Sequence, residues 1–347
     1  MTSFETLVSR FDKVRIAVVG DIFLDRLFYV RRDWDELSVE TGLTAYQVGR
    51  RICTPGAAGV ITNNLGSLKI GARYAVALTG ADGEGYDLRR SLEATGCDTH
   101  YMVAEDGRFT PTYTKTFFER ENGVEETHRI DLKNRMRMSE ETERAIIRNL
   151  LELEEKVDAF VCLEQLEHGD FGVFTAPVIE TLSEISQRGK ARVFVDSRFN
   201  IRKFKNMIQK CNDNEALRVA GFPFEFDGPF DAERNGKVED AMRMMRTDAR
   251  YPMFVTCGKL GMKVLDEEKI LTVPAYHAEG PVDICGAGDS AMAGIACALC
   301  AGATLPEAAL MGNLVASIIV EQIGVTGTAT REQLLRRYEQ YQAQRSE

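Results

Sequence analysis

Short apolar runs recur along this chain, separated by longer amphipathic stretches. VRIAVV (14–19), RYAVALT (73–79), VDAFVCL (157–163), ARVFVD (191–196) and PMFVTC (252–257) are each near strand length and rich in Val and Phe. Continuous rather than alternating apolar character predicts strands buried on both faces. Helical patterns lie between them. One starts at Ser139, followed by Glu140, Glu141 and Thr142, with capping residues and first-turn acids that suit a helix dipole. It carries Ile146, Ile147, Leu150 and Leu151 at helical spacing. The alternation predicts an α/β fold, a mostly parallel sheet covered by helices on both sides.

Two segments break this rhythm. Residues 26–52 and 99–130 are polar, rich in Thr, Tyr, Arg and Val, and alternate like exposed strands. The second reads as strands with turns at Asp106-Gly107 and Asn122-Gly123. Together they predict a small extra sheet projecting from the main one. No repeat or low-complexity linker divides the chain, so 1–347 reads as a single domain with these segments inserted. The C-terminal REQLLRRYEQYQAQRSE reads as a solvated helix.

Composition narrows the classes. The 347 residues are 44% hydrophobic and 28% charged, ordinary for a globular protein. A formal net charge of −10 disfavours nucleic acid as the main partner. The N-terminus lacks a signal pattern, and no apolar run approaches the roughly 18 residues of a membrane helix, so a cytoplasmic protein is expected. Cys297 and Cys300 form a CxxC, but no second pair or neighbouring histidine completes a zinc site, and both sit in the apolar run IACALCAG. Helix packing is the expectation for them. The histidines at 100, 128, 168 and 277 are isolated, which leaves a metal hydrolase little support.

The candidate chemistry lies in VDICGAGDSAMAG (282–294). Gly286 and Gly288 free the backbone, and the small-residue run after them predicts a helix. A GAG turn at a helix start aims unpaired N–H groups at one spot, an anion site suited to phosphate. Asp289 beside such a site is electrostatically odd unless it works, and a carboxylate there can take a proton from an alcohol. The plainer reading, a glycine turn with Asp289 as a helix cap, stays open on this stretch alone.

GAGD in this setting resembles the signature of the phosphofructokinase-B (PfkB) family, the ribokinase-like sugar kinases. The resemblance spans roughly residues 14–335. VVGDIFLDR (18–26) is similar to the family's first strand and turn, especially in the kinases of heptose 7-phosphate. PGAAGVITNNLGSLKIGARYAVALTGADGEG, TPTYTKTFFERENGVEETHRID, FVDSR, NDNE and VTCGKLGM follow in the family's order. The resemblance implies a three-layer α/β/α sandwich with a β-lid, ATP as phosphoryl donor and Mg2+. It implies Asp289 as catalytic base and Gly286, Ala287 and Gly288 as the anion hole. Asn212 and Glu215 match the NxxE that organises magnesium and phosphates, where the alternative is a polar turn. Thr256, Gly258 and Gly261 match the turn near the nucleotide phosphates, and Asn313 falls at the adenine pocket. Asp25 matches the acid that binds sugar hydroxyls, with Asp21 nearby and Gly56 at the family's paired glycines. Lys115 and Arg198 match basic positions of the heptose-phosphate kinases and otherwise read as surface charges.

Departures concern the sugar half. Gly59 replaces an asparagine that contacts sugar in relatives. Gln165 and His168 replace an acid and a lysine in the heptose kinases' Asp-Tyr-x-Lys-Gly stretch. The resemblance ends close to the last residue, so the nucleotidyltransferase domain fused to some relatives is not expected here. Exposed lid strands lead to the expectation of a homodimer through the lid. A P-loop is excluded, since Gly189-Lys190, Gly236-Lys237 and Gly258-Lys259 lack a following Ser or Thr. GADGEG (80–85) has the wrong spacing for a dinucleotide fold. The rivals to a kinase of a sugar or sugar phosphate are a non-catalytic sugar- or nucleotide-binding protein on the same fold, and a kinase of an unphosphorylated sugar or nucleoside.

Overall fold

The computed structural model describes residues 3–120, 123–167, 171–226, 228–246, 248–324 and 326–345. In chain order its strands are β1 (Arg15–Gly20), β2 (Ile22–Val30), β3 (Glu36–Leu37), β4 (Thr44–Ala45), β5 (Val48–Ala57), β6 (Ala72–Val76), β7 (Leu78–Gly80), β8 (Val103–Glu105), β9 (Thr112–Arg120), β10 (Gly123–Leu132), β11 (Ala159–Glu164), β12 (Arg192–Ser197), β13 (Ile208–Asn212), β14 (Met253–Thr256), β15 (Met262–Asp266) and β16 (Lys269–Val273). Its helices are α1 (Phe4–Ser9), α2 (Ala58–Ser67), α3 (Gly83–Ala94), α4 (Glu140–Glu154), α5 (Ala176–Arg188), α6 (Asp213–Ala220), α7 (Ala232–Met245), α8 (Ala287–Cys300), α9 (Leu305–Ile319) and α10 (Arg331–Gln344).

The main sheet runs β16-β15-β14-β13-β12-β11-β1-β6. From β6 to β14 every pairing is parallel; β15 and β16 close the edge as an antiparallel hairpin. Period-two alternation sorts each buried strand between two cores. Ile16 and Val18 pack with α2, α8 and α9, whereas Ala17 and Val19 pack with α4 and α5. A third cluster joins β13 and β14 to α6 and α7. The mostly parallel α/β sheet is as the apolar runs predicted.

The second sheet has the order β10-β9-β2-β5. It grows out of the first because β2 follows β1 after a single residue, while β5 leads straight into α2. Its aromatic pairs, Tyr29 with Phe117 and Phe23 with Tyr113, hold the strands side by side.

Several expectations need correction. The run 73–79 is two strands, since β7 leaves the main sheet to pair with β8. Residues 103–105 therefore belong with β7 and not with the second sheet; the Asp106-Gly107 turn follows them, with Gly107 at φ 74. The Asn122-Gly123 turn falls partly on Asn122, outside the described residues, as does His168. The C-terminal helix α10 is docked rather than solvated. Leu334 and Tyr341 are buried, and the Arg337 guanidinium binds Glu321 at 2.6 Å and the Ser317 carbonyl at 3.1 Å. The apolar pattern missed β13, β15 and β16. Ser139 caps α4 as predicted, accepting a hydrogen bond from the Thr142 N–H at 3.2 Å.

Candidate active site

Ligands of open α/β sheets bind beyond the carboxyl ends of the strands. Here the ends of β12, β13 and β14 bring Asp196, Arg198, Lys210, Asn212 and Thr256 together, with the start of α8 facing them. Gly286 is the N-cap of α8 at φ 76, a left-handed conformation that favours glycine. The Ala287 N–H is spent on the Ile284 carbonyl at 3.2 Å, and the Ser290 N–H on the Gly286 carbonyl at 2.9 Å. The N–H groups of Gly288 and Asp289 have no protein acceptor among the described residues. Of the N–H groups in the GAG turn and the first turn of α8, those of Gly288 and Asp289 are thus the ones left open toward the crevice, while that of Ala287 is taken. Asn64 locks the helix in place, donating to Ser290 Oγ at 3.0 Å and accepting from the Ala329 N–H at 3.3 Å.

Asp289 stands in the first turn of α8. Burial pushes its pKa up to about 7; Lys210 and Arg198 oppose the shift, and Asp196 and Glu215 add to it. A carboxyl poised near neutrality suits general-base work. Lys210 and Asp196, both buried, form an ion pair of 2.6 Å behind it. Burial opposes the ammonium charge, but Asp196 and Glu215 hold Lys210 above its ordinary range.

Asn212 and Glu215 form a capping box at the start of α6, each side chain accepting from the other's backbone N–H at 2.8 Å. Glu215, pushed up to about 7 chiefly by burial and by Asp196, keeps one carboxylate oxygen outside that box. Among the described residues no three His, Cys, Asp or Glu side chains cluster closely enough to hold an ion alone. The set fits a magnesium ion that keeps its waters and leans on nucleotide phosphates, with Glu215 as the protein contact.

The glycine turn between β14 and β15 holds Gly258 at φ 55 and Gly261 at φ 100, where a side chain at Gly261 would overlap the Val273 carbonyl oxygen. Thr256 stands opposite Asn212 in the sheet. Asn313 is spoken for: its amide donates to the Val273 and Pro274 carbonyls at 2.9 and 3.2 Å, tying α9 to the end of β16.

Across the crevice, Asp25 lies on Gly56, where any side chain would overlap its carboxylate. Burial pushes Asp25 up to about 6 against the pull of Lys115 and Arg129. The charges of Lys115, Asp25 and Asp289 all act on Cys285, so the two halves face one site. The charge of Arg198 acts on both Tyr113 and Asp289. Asp21 is not among these groups. Its carboxylate accepts the Gln165 and Leu166 N–H groups at 2.8 and 3.1 Å and anchors that loop. With its amide oxygen turned toward Arg198, Gln165 accepts from both guanidinium nitrogens at 3.0 and 3.2 Å. Gly59 leaves no room for the asparagine of relatives, because a side chain there would overlap Pro55. Sequence reasoning missed Lys210, Asp196, Arg129 and Tyr113.

The family model for pfkB carbohydrate kinases matches residues 15–331. The chain belongs to the pfkB carbohydrate kinase family. Among curated relatives of this pfkB chain, the Bifunctional protein HldE of a Nitratiruptor species is 28% identical over 325 residues, covering 93% of the chain and 64% of the relative. That of Desulfatibacillum aliphaticivorans is 29% identical over 332 residues, covering 94% and 63%. The chain thus spans a little under two thirds of these relatives' length, and they fit the heptose-kinase branch that the motifs resemble. The fold matches Arabidopsis thaliana ribokinase complexed with ribose and ATP, at TM-score 0.66 and 17% identity over 94% of this chain and 98% of that one. It also matches Escherichia coli phosphofructokinase-2 in complex with fructose-6-phosphate, at TM-score 0.68 and 16% identity over 95% and 99%. Family and fold are those the motifs resembled.

Proposed function

We propose that this chain transfers the γ-phosphoryl group of ATP to a hydroxyl of a sugar or sugar phosphate, with heptose 7-phosphate the first acceptor to try. The observation that carries the reading is Asp289, poised near neutrality beside the free N–H groups of Gly288 and its own backbone. Asp289 accepts the proton of the acceptor hydroxyl as that oxygen bonds to the γ-phosphorus and ADP leaves. The N–H groups stabilise charge on the phosphoryl oxygens. Thr256 and the turn at Gly258 and Gly261 flank the nucleotide phosphates, while Asn313 shapes the adenine side through the backbone it holds. Asp25 binds acceptor hydroxyls, and Lys115 and Arg198 meet the acceptor's own phosphate. Glu215 would hold magnesium, which would supply neutralisation of the donor phosphates. The second sheet acts as a lid that excludes water, and the segment between its strands β2 and β5, with Trp34, Leu37, Val39 and Leu43 exposed, supplies a surface for pairing with a second copy.

A second reading, an unphosphorylated acceptor, draws on the pairing of the lid cations. Lys115 lies 3.5 Å from Glu126, and Arg129 binds Asp131 at 2.7 Å.

The test is ATP turnover by the purified protein with magnesium across sugars and sugar phosphates, including heptose 7-phosphate. Acceptor-dependent ADP release that disappears in Asp289→Asn supports the reading. Binding of sugars or nucleotides by calorimetry without any turnover would replace it with a non-catalytic binding protein.

A further inference from the structure

Lys210 is the most unusual group in the molecule that the proposed reaction has not used. It lies on β13 with a side chain 4% exposed, and its one hydrogen-bond partner among the described residues is Asp196 Oδ2 at 2.6 Å. An ammonium has three donors, and buried donors are almost always paired. Two of the three here have no protein acceptor among the described residues. The direction they face is fixed by Gly288. A Cβ built on that residue would stand 3.0 Å from Lys210 Nζ. Gly288 is not in a left-handed conformation, so its backbone geometry does not demand glycine. What it provides is an opening between the ammonium and the α8 N-terminus, the place where Gly288 and Asp289 present free N–H groups.

Resting on the kinase reading above, we propose that Lys210 is a catalytic residue whose ammonium binds the non-bridging oxygens of the γ-phosphoryl group through the opening at Gly288. Asp196 holds the side chain in position and does not touch substrate. The ammonium follows the phosphoryl group as its charge spreads in transfer, adding a fixed cation to the two N–H donors.

The experiment is calorimetric titration, with magnesium, of ADP and of the β,γ-imido analogue of ATP into wild type, Lys210→Met and Gly288→Ala. A charge-assisted contact to the γ-phosphate alone predicts that the ratio of analogue to ADP affinity falls by about ten- to a hundredfold in Lys210→Met. ADP affinity itself should stay within about threefold. Gly288→Ala should show the same loss without removing a charge, because its methyl displaces the ammonium. If Lys210→Met fails to fold, Lys210→Met with Asp196→Asn removes both members of the buried pair together and reads the same ratio. An unchanged ratio in a folded variant, or an equal weakening of both nucleotides, overturns the assignment and leaves the kinase intact. A wild type that binds neither nucleotide sinks the kinase reading, and Lys210 with it.

Discussion

Replacing Asp289 with asparagine separates what this carboxylate does for the reaction from what it costs the fold. Burial is the chief reason its acidity moves from 3.8 to about 7; Lys210 and Arg198 only partly offset it. At about 1.4 kcal/mol per pH unit, that displacement corresponds to a penalty on the order of 4 kcal/mol for keeping Asp289 ionised in the folded state. The folded protein holds this proton more tightly than the unfolded chain does. Between about pH 4 and pH 7 it therefore binds more protons than the unfolded chain, and its stability falls as pH rises. The whole penalty is present above about pH 7 and absent below about pH 4. The asparagine side chain keeps the shape and drops the charge. Asp289→Asn should thus unfold at higher urea concentration than wild type at pH 8, by roughly 2–4 kcal/mol. The gain should shrink to nothing near pH 4. The same displacement sets the activity profile: wild-type kcat/KM should rise about tenfold per pH unit up to about pH 7 and then level. Turnover of the variant should be lower by about two to four orders of magnitude. Urea midpoints at pH 4, 6 and 8, run beside a pH–rate profile, test both halves. Comparing variant with wild type cancels displaced carboxylates that do not act on Asp289, Asp25 among them. Equal midpoints at pH 8, or a flat wild-type profile from about pH 5.5 to 8.5, would refute the reasoning.

Other positions give sharper single readouts. Gly261→Ala should cost more than about 2 kcal/mol by chemical denaturation, since φ is 100 there and the methyl would overlap the Val273 carbonyl oxygen. Asn64→Ala leaves Ser290 Oγ and the Ala329 N–H without their partner and should cost about 1–3 kcal/mol, with a fall in kcat because α8 loses its anchor. Lys115→Met should raise KM for a phosphorylated acceptor by about tenfold or more; an unchanged KM would favour the unphosphorylated acceptor. Gly59→Asn should not recreate a sugar contact, and a melting temperature at or above wild type would show that the overlap with Pro55 has been misjudged.

The fold was legible where burial made the pattern simple. β1, β11 and β12 are buried along almost their whole length, so their sequences are unbroken apolar runs. α4 was legible from its cap and its spacing. β16 lies at the sheet edge and is mostly exposed, so five residues that mix Lys269 and Thr272 with apolar positions gave no signal. α10 misled for a different reason. Its face against the core is narrow and includes Arg337, whose charge is met by Glu321, so a charged pattern concealed a docked helix. The candidate site announced itself in sequence as a glycine and an acid breaking an apolar run. Asp21 carries no such signal: an acid at the end of β1 looks the same in sequence whether it serves a ligand or holds a backbone loop, and in the structure its carboxylate accepts the Gln165 and Leu166 N–H groups.

The most informative miss is β13. Its sequence, IQKCN, places Gln209 and Lys210 in a strand that is buried almost throughout. A polar pair there argues against a central strand on pattern alone, and burying a lysine costs free energy unless a partner stabilises the charge. Gln209 is satisfied by the Ile201 and Phe204 carbonyls at 3.1 and 2.8 Å, so it is a packing solution. Lys210 is only partly satisfied, by Asp196. The two residues fail the pattern equally, and the hydrogen-bond inventory separates them. A buried polar group whose donors are all accounted for belongs to the fold, while one with donors left over, aimed at an opening kept by a glycine, points to something the folded chain alone does not contain. By that criterion β13 escaped the apolar pattern because it carries Lys210, the residue proposed above to meet the γ-phosphoryl group.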